Sequence, residues 1–199
     1  MPLILVFFLA AFFFSGCSFE HEESELCFIG DSITNQWDLD SYFPGYAIHK
    51  HAVGGARIQD MDKWDLSDCE GKSTIILMGT NNIGLLELEN PSASNIRKKF
   101  IQQYMDRLKR IKAQELWVLS ILPRNHKHKQ TSSVNQHIEI VNNDIKEALK
   151  TLSTPSHFVN VFYDFLGDDY NIDEDLFIDG LHPNRLGYDI LAKEVHKGL

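Results

Sequence analysis

The chain contains no apolar stretch of the roughly 20 residues that a bilayer-crossing helix needs. Its longest, Leu3–Phe14 (LILVFFLAAFFF), stops at twelve. It is short of basic residues, with 19 Lys+Arg against 28 Asp+Glu and a formal net charge of -9. A nucleic-acid partner wants a basic surface to meet the phosphates, so this balance argues against one. It has only three cysteines, no internal repeat and no low-complexity segment beyond the leader. What remains is ordinary: 199 residues, 43% hydrophobic and 24% charged. That suits one domain with a sizeable core.

The apolar run fits the hydrophobic region of a secretory signal. Ser15-Gly16 and then Cys17 follow it, which resembles a bacterial lipobox. The resemblance implies cleavage before Cys17 and a lipid on that cysteine. It departs in one respect: Met1-Pro2 supplies no Lys or Arg ahead of the run. A plain secretory signal or an uncleaved anchor is the simpler alternative. The expectation is a signal peptide over 1–16, a lipidated and acidic tether over 17–25, and a folded domain over 26–199. It implies an exported protein held to a membrane, at the outer membrane or cell surface. Cys27 and Cys69 are then left as an even pair in an oxidising compartment. They form either a disulfide or two buried thiols.

Short apolar runs alternate with segments of helical period. The runs are Leu26–Ile29, Tyr46–His51, Ser73–Met78, Glu115–Leu122 and His157–Val161. Near-continuous apolar strands of this kind are covered on both faces. Helices are expected at Gln36–Tyr42, Arg57–Trp64, Pro91–Ala113, Ser133–Leu152 and after Pro183. The last carries Leu186, Ile190, Leu191 and Val195 as its apolar residues. The order predicts an α/β fold, an open parallel sheet with helices on both faces. Ligands of such sheets lie beyond the carboxyl ends of the strands.

Four segments sit there: Gly30-Asp31-Ser32, Gly54-Gly55, Gly79-Thr80-Asn81 and Pro123-Arg124. Gly30-Asp31-Ser32 follows the first strand. A lone Gly-Asp-Ser is more often a helix cap than a nucleophile. Asp179-Gly180-Leu181-His182 lies near the C-terminus. An Asp three residues before a His can hold the imidazole tautomer that accepts a proton from a serine. Acyl transfer also needs donors for an oxyanion. The backbone of Ser32, the backbone of Gly55 and the side chain of Asn81 are the candidates. Plain turns explain Gly54-Gly55 and Asn81-Asn82 equally well.

Taken together, the blocks GDSIT (30–34), AVGGAR (52–57), GTNN (79–82) and DGLHPN (179–184) resemble the SGNH (GDSL-like) hydrolases. The resemblance covers the chain from Leu26 to Leu199. It implies a flavodoxin-like three-layer α/β/α sandwich around a parallel sheet of about five strands. It also implies a triad of Ser32, Asp179 and His182, an oxyanion hole of Ser32, Gly55 and Asn81, and no cofactor or metal. The expected function is a serine esterase that acts on small O-acyl groups of carbohydrates. Lysophospholipase, thioesterase or O-acyltransferase activity on the same site is the alternative. A surface lipoprotein that binds without turnover is the non-enzymatic one. Asn82 departs from the family, where Asp is common, and Ile33 stands in place of Leu. No G-x-S-x-G elbow occurs, which speaks against the α/β-hydrolase fold. The His pairs 49/51 and 126/128 show no convergent ligand set. The basic run Arg124–Lys129 follows the fourth strand. It reads first as a solvated loop, and second as a place to meet an anionic substrate.

Overall fold

The computed structural model describes residues 24–83, 94–125 and 131–199. Five strands form one sheet: β1 (Ser24–Gly30), β2 (Tyr46–Ala52), β3 (Ser73–Leu77), β4 (Glu115–Leu119) and β5 (Ser156–Val159). All neighbours pair in parallel, in the order β2-β1-β3-β4-β5. This is the doubly wound order, in which the chain reverses direction across the sheet at β1/β3. The helices are α1 (Ser32–Gln36), α2 (Leu39–Tyr42), α3 (Ser94–Leu108), α4 (Thr131–Leu149) and α5 (Arg185–His196).

Period-two alternation splits the central strands between two cores. Cys27 and Ile29 face one way, with Ile76 and Val118, under α3 and α4. Leu26 and Phe28 face the other way, with Ile75, Leu77 and Leu119, under α1, α2 and α5. Covering on both faces is why these strands read as unbroken apolar runs. The expected three-layer α/β/α architecture is the observed one.

Several boundaries differ. β1 begins at Ser24, two residues inside the segment expected to be tether, because Ser24 and Glu25 pair with Tyr46 and Ala47. The helix expected over Gln36–Tyr42 is two short ones, broken at Trp37 and Asp38. The apolar run of β4 outlasts the strand: Ile121 and Leu122 leave the sheet yet stay buried. Leu186 is exposed. The inward stripe of α5 is Tyr188, Leu191, Ala192 and Val195, spaced for one helical face, and Leu186 falls off it. Cys27 and Cys69 are joined by a disulfide across a Cα separation of 5.3 Å. Cys17, the start of the helix expected at Pro91 and the pair His126/His128 lie outside the described residues.

Candidate active site

The site begins with the chain's exit from β1. A Cβ on Gly30 would lie 1.9 Å from Thr34 Oγ1 and 2.2 Å from its Cβ. Only glycine lets the first turn of α1 fold back onto the strand end. Asp31 then caps α1, accepting from the Ile33 N–H at 3.0 Å. So the aspartate is a cap, as its type suggests, and it leaves Ser32 as the first residue of the helix. Asp31 is 1% exposed. Burial pushes its carboxyl up to about 6, against the pull of the Ile33 N–H and of His182.

The partner turn is built locally. The Ile178 N–H donates to the His182 carbonyl at 2.8 Å and Phe177 bridges to Pro183, closing residues 178–182 into a loop. Gly180 sits at φ +80°, a left-handed conformation that suits glycine. Asn184 caps α5 through the N–H groups of Leu186 and Gly187. The helix is in turn tied to α1: Tyr188 donates to the Ile33 carbonyl at 2.8 Å and stacks on Trp37.

These ties bring Ser32 and His182 together. Ser32 Oγ lies 2.9 Å from His182 Nε2, and His182 Nδ1 lies 2.8 Å from Asp179 Oδ2. The carboxylate accepts at Nδ1, which leaves Nε2 free to accept the Ser32 hydroxyl proton. Burial raises the Asp179 carboxyl, but the N–H and ring of His182 and the N–H of Leu181 outweigh it and hold the group at about 2. It is therefore ionised at neutral pH.

The loop after β2 docks on the same strand end, with the Val53 N–H donating to the Gly30 carbonyl at 3.3 Å. Gly55 is exposed on that loop. Asn81 Nδ2 donates to the Ala56 carbonyl at 2.9 Å, fastening the turn after β3 to the Gly55 loop. One hydrogen of that amide is thereby used and the other remains. Asn82, 3% exposed, makes a second fastening. Its Oδ1 accepts from the Ile58 N–H at 3.0 Å and its Nδ2 donates to Gln59 Oε1 at 2.9 Å. An aspartate, with no donor hydrogen when ionised, could make only the first.

Two supports were missed from the sequence. Asn135 and Asn142 lie seven residues apart on the buried face of α4. Asn135 accepts from the Arg124 N–H, and Asn142 brackets both backbone groups of Ile121. Two asparagines inside the apolar stripe Val134–Ile145 were the available signal, since buried amides are there to bond. Among the described residues, Cys27, His51 and Cys69 have potential metal-ligand atoms within 4.8 Å. Both sulfurs are spent in the disulfide.

Fold and site together define a class: doubly wound α/β proteins with a serine–histidine–aspartate chain at the carboxyl edge of the sheet. The chain belongs to the GDSL-like lipase/acylhydrolase family, whose model matches residues 28–190. It is an ester-hydrolysing enzyme. Its fold resembles a GDSL-like lipase from Bacteroides thetaiotaomicron (22% identity, 88% of this chain and 87% of that one, TM-score 0.66). An acetylxylan esterase from Geobacillus stearothermophilus is also similar (14%, 87% and 93%, TM-score 0.61). So is another acetyl xylan esterase (18%, 88% and 99%, TM-score 0.59). No curated protein matches the chain.

Proposed function

We propose that the protein is a serine esterase that cleaves short O-acyl groups, such as acetyl, from carbohydrates through an acyl-enzyme. The observation that carries the reading is the hydrogen-bonded chain Ser32–His182–Asp179. His182 Nε2 takes the hydroxyl proton as Ser32 attacks the ester carbonyl. The oxyanion is received by the Ser32 N–H, the Gly55 N–H and the free hydrogen of Asn81. His182 then protonates the leaving alcohol, and water repeats the cycle to release the acid.

The preference for acetyl on sugars draws support from the acetylxylan esterases of the same fold. The one from Geobacillus stearothermophilus has structures of catalytic mutants at a serine and at an aspartate. Export on a lipid attached to Cys17 fits such an activity, and comparing membrane retention of the full chain with that of Cys17→Ser tests it.

The catalytic test uses the purified full chain and nitrophenyl esters from acetyl to long acyl. Ser32→Ala should lower kcat by several powers of ten, as expected for a triad nucleophile. Unchanged turnover in that variant refutes the mechanism. A maximum at long acyl chains would instead favour a lysophospholipase or thioesterase role. Product on an added sugar acceptor would favour acyl transfer.

A further inference from the structure

The chain has six arginines. Arg97, Arg107, Arg110 and Arg185 each pair with an aspartate. The other two, Arg57 and Arg124, form no ion pair among the described residues. Both stand on loops at the carboxyl edge of the sheet, after β2 and β4, where the ester site lies. Arg57 is exposed, and its charge is shared with nearby Asp60. Arg124 is half-buried and firmly mounted.

Its backbone N–H donates to Asn135 Oδ1 at 2.9 Å, and Asn135 is wholly buried. Its Nη1 donates to the carbonyl of Thr80, the residue before Asn81, at 3.1 Å. The N–H of the next residue, Asn125, donates to the Gly180 carbonyl at 2.8 Å, inside the Asp179–His182 turn. Arg124 is thus fastened between the oxyanion residue and the acid–base turn. Its Nε is covered and has no partner among the described residues. A guanidinium carries five N–H donors in a planar fork. The Thr80 carbonyl uses one, so the Nη groups retain hydrogens for an incoming pair of oxygens.

A cation half withdrawn from water, with no counter-charge among the described residues, gains from an arriving anion. The chain as a whole carries -9 and repels anions. Attraction of an acidic substrate must therefore be local. We infer that Arg124 is an anion-recognition residue of the ester site, selecting esters that carry a carboxylate, sulfate or phosphate near the scissile bond. The inference rests on the reading of Ser32 and His182 given above. It reverses the solvated-loop reading for this one residue of the basic run.

The test compares three acetate esters on the full chain: neutral phenyl acetate and its para-carboxylate and para-sulfate derivatives. In the wild type, moving from about 0.01 to 0.15 M salt should weaken the preference for the charged esters, because screening shortens from roughly 30 to 8 Å. Arg124→Gln should lower kcat/KM for the charged esters roughly tenfold more than for the neutral one, mostly in KM. It should also remove the salt effect. Arg124→Lys, which keeps charge without the fork, should recover part of the preference and serves alone if Arg124→Gln fails to fold. The two charged arms separate a planar carboxylate from a tetrahedral oxyanion. An equal loss on all three esters would overturn the inference and leave Arg124 as a support for Thr80. So would a wild type that shows no preference for charge. If Ser32→Ala still turned over all three, the underlying serine mechanism would fall instead.

Discussion

Asp179 holds His182 twice: Oδ2 accepts from the ring Nδ1 at 2.8 Å, and Oδ1 accepts from the backbone N–H of the same residue at 2.8 Å. One carboxylate thus sets both the tautomer and the shape of the turn. Replacing either oxygen should have a distinct effect. Asp179→Asn can keep the backbone contact but presents the ring with the wrong group, so kcat should fall by roughly three to four powers of ten. Its melting temperature should stay close to that of the wild type. Asp179→Ala should lose both activity and turn stability. Steady-state kinetics beside thermal melts separate the two. Comparable activity in Asp179→Asn and wild type would rule out this role.

Gly30→Ala should be severely destabilising. The added methyl would fall 1.9 Å from Thr34 Oγ1 and 3.0 Å from the Leu77 carbonyl. Relief requires α1 to move off β1, at a cost of about 3 kcal/mol or more. Denaturant unfolding measures it, and the same shift of Ser32 should depress kcat.

Asn82→Ala should leave the buried Ile58 N–H without its acceptor. The expected loss is about 1–3 kcal/mol. The Gly55 loop is held through this residue and Asn81, so kcat should fall too. Asn82→Asp keeps the acceptor but sets a buried carboxylate against Gln59 Oε1, so it should preserve kcat better than Asn82→Ala while still lowering stability as the group ionises.

Asp31 predicts a stability that falls as pH rises. Its carboxyl sits at about 6 when folded against an ordinary 3.8. The folded state therefore binds the proton more tightly than the unfolded one. That contribution is complete below pH 3.8 and is lost as pH climbs through 6. The difference is on the order of 3 kcal/mol. Asp31→Asn can still accept the Ile33 N–H and has no charge to bury. The melting temperature of this variant should gain on the wild type between pH 4 and pH 7. A constant gap across that range would contradict the assignment.

The disulfide joins residues 42 apart, tying β1 to the segment that leads into β3. Closing a loop of that length stabilises the folded chain by about 4 kcal/mol on the chain-entropy account. The double variant Cys27→Ser/Cys69→Ser should unfold at correspondingly lower denaturant, with a compact but weakened fold. Equal midpoints would show that the bond contributes nothing.

Much of this was legible in the chain itself, for physical reasons. Strands buried on both faces must be apolar throughout, so Leu26–Ile29 and Ser73–Met78 announced a parallel sheet. The strand ends then drew attention to Gly30-Asp31-Ser32, Gly54-Gly55 and Gly79-Thr80-Asn81, and the resemblance to a family singled out Ser32, Gly55, Asn81 and the Asp179–His182 turn among the candidates. The pairing of Asp179 with His182 is local, three residues apart in one loop, and spacing alone suffices for that. Periodicity and spacing are short-range signals. They set which residues face inward and which can meet within a turn.

Tertiary structure decided the rest. Ser32 and His182 are 150 residues apart, and their 2.9 Å contact depends on Tyr188 bonding to α1 and on Asn184 capping α5. Whether Cys27 and Cys69 were joined or free depended on the distance between β1 and a turn after β2. Burial alone kept Ile121 and Leu122 apolar beyond the end of β4, which no pattern separates from sheet pairing. Arg124 read as part of a solvated charge run until its contacts with Thr80 and Asn135 placed it beside the site. Each of these is a meeting of distant segments. Such meetings are set by the packing of helices on the sheet as a whole, and no window of the sequence contains them.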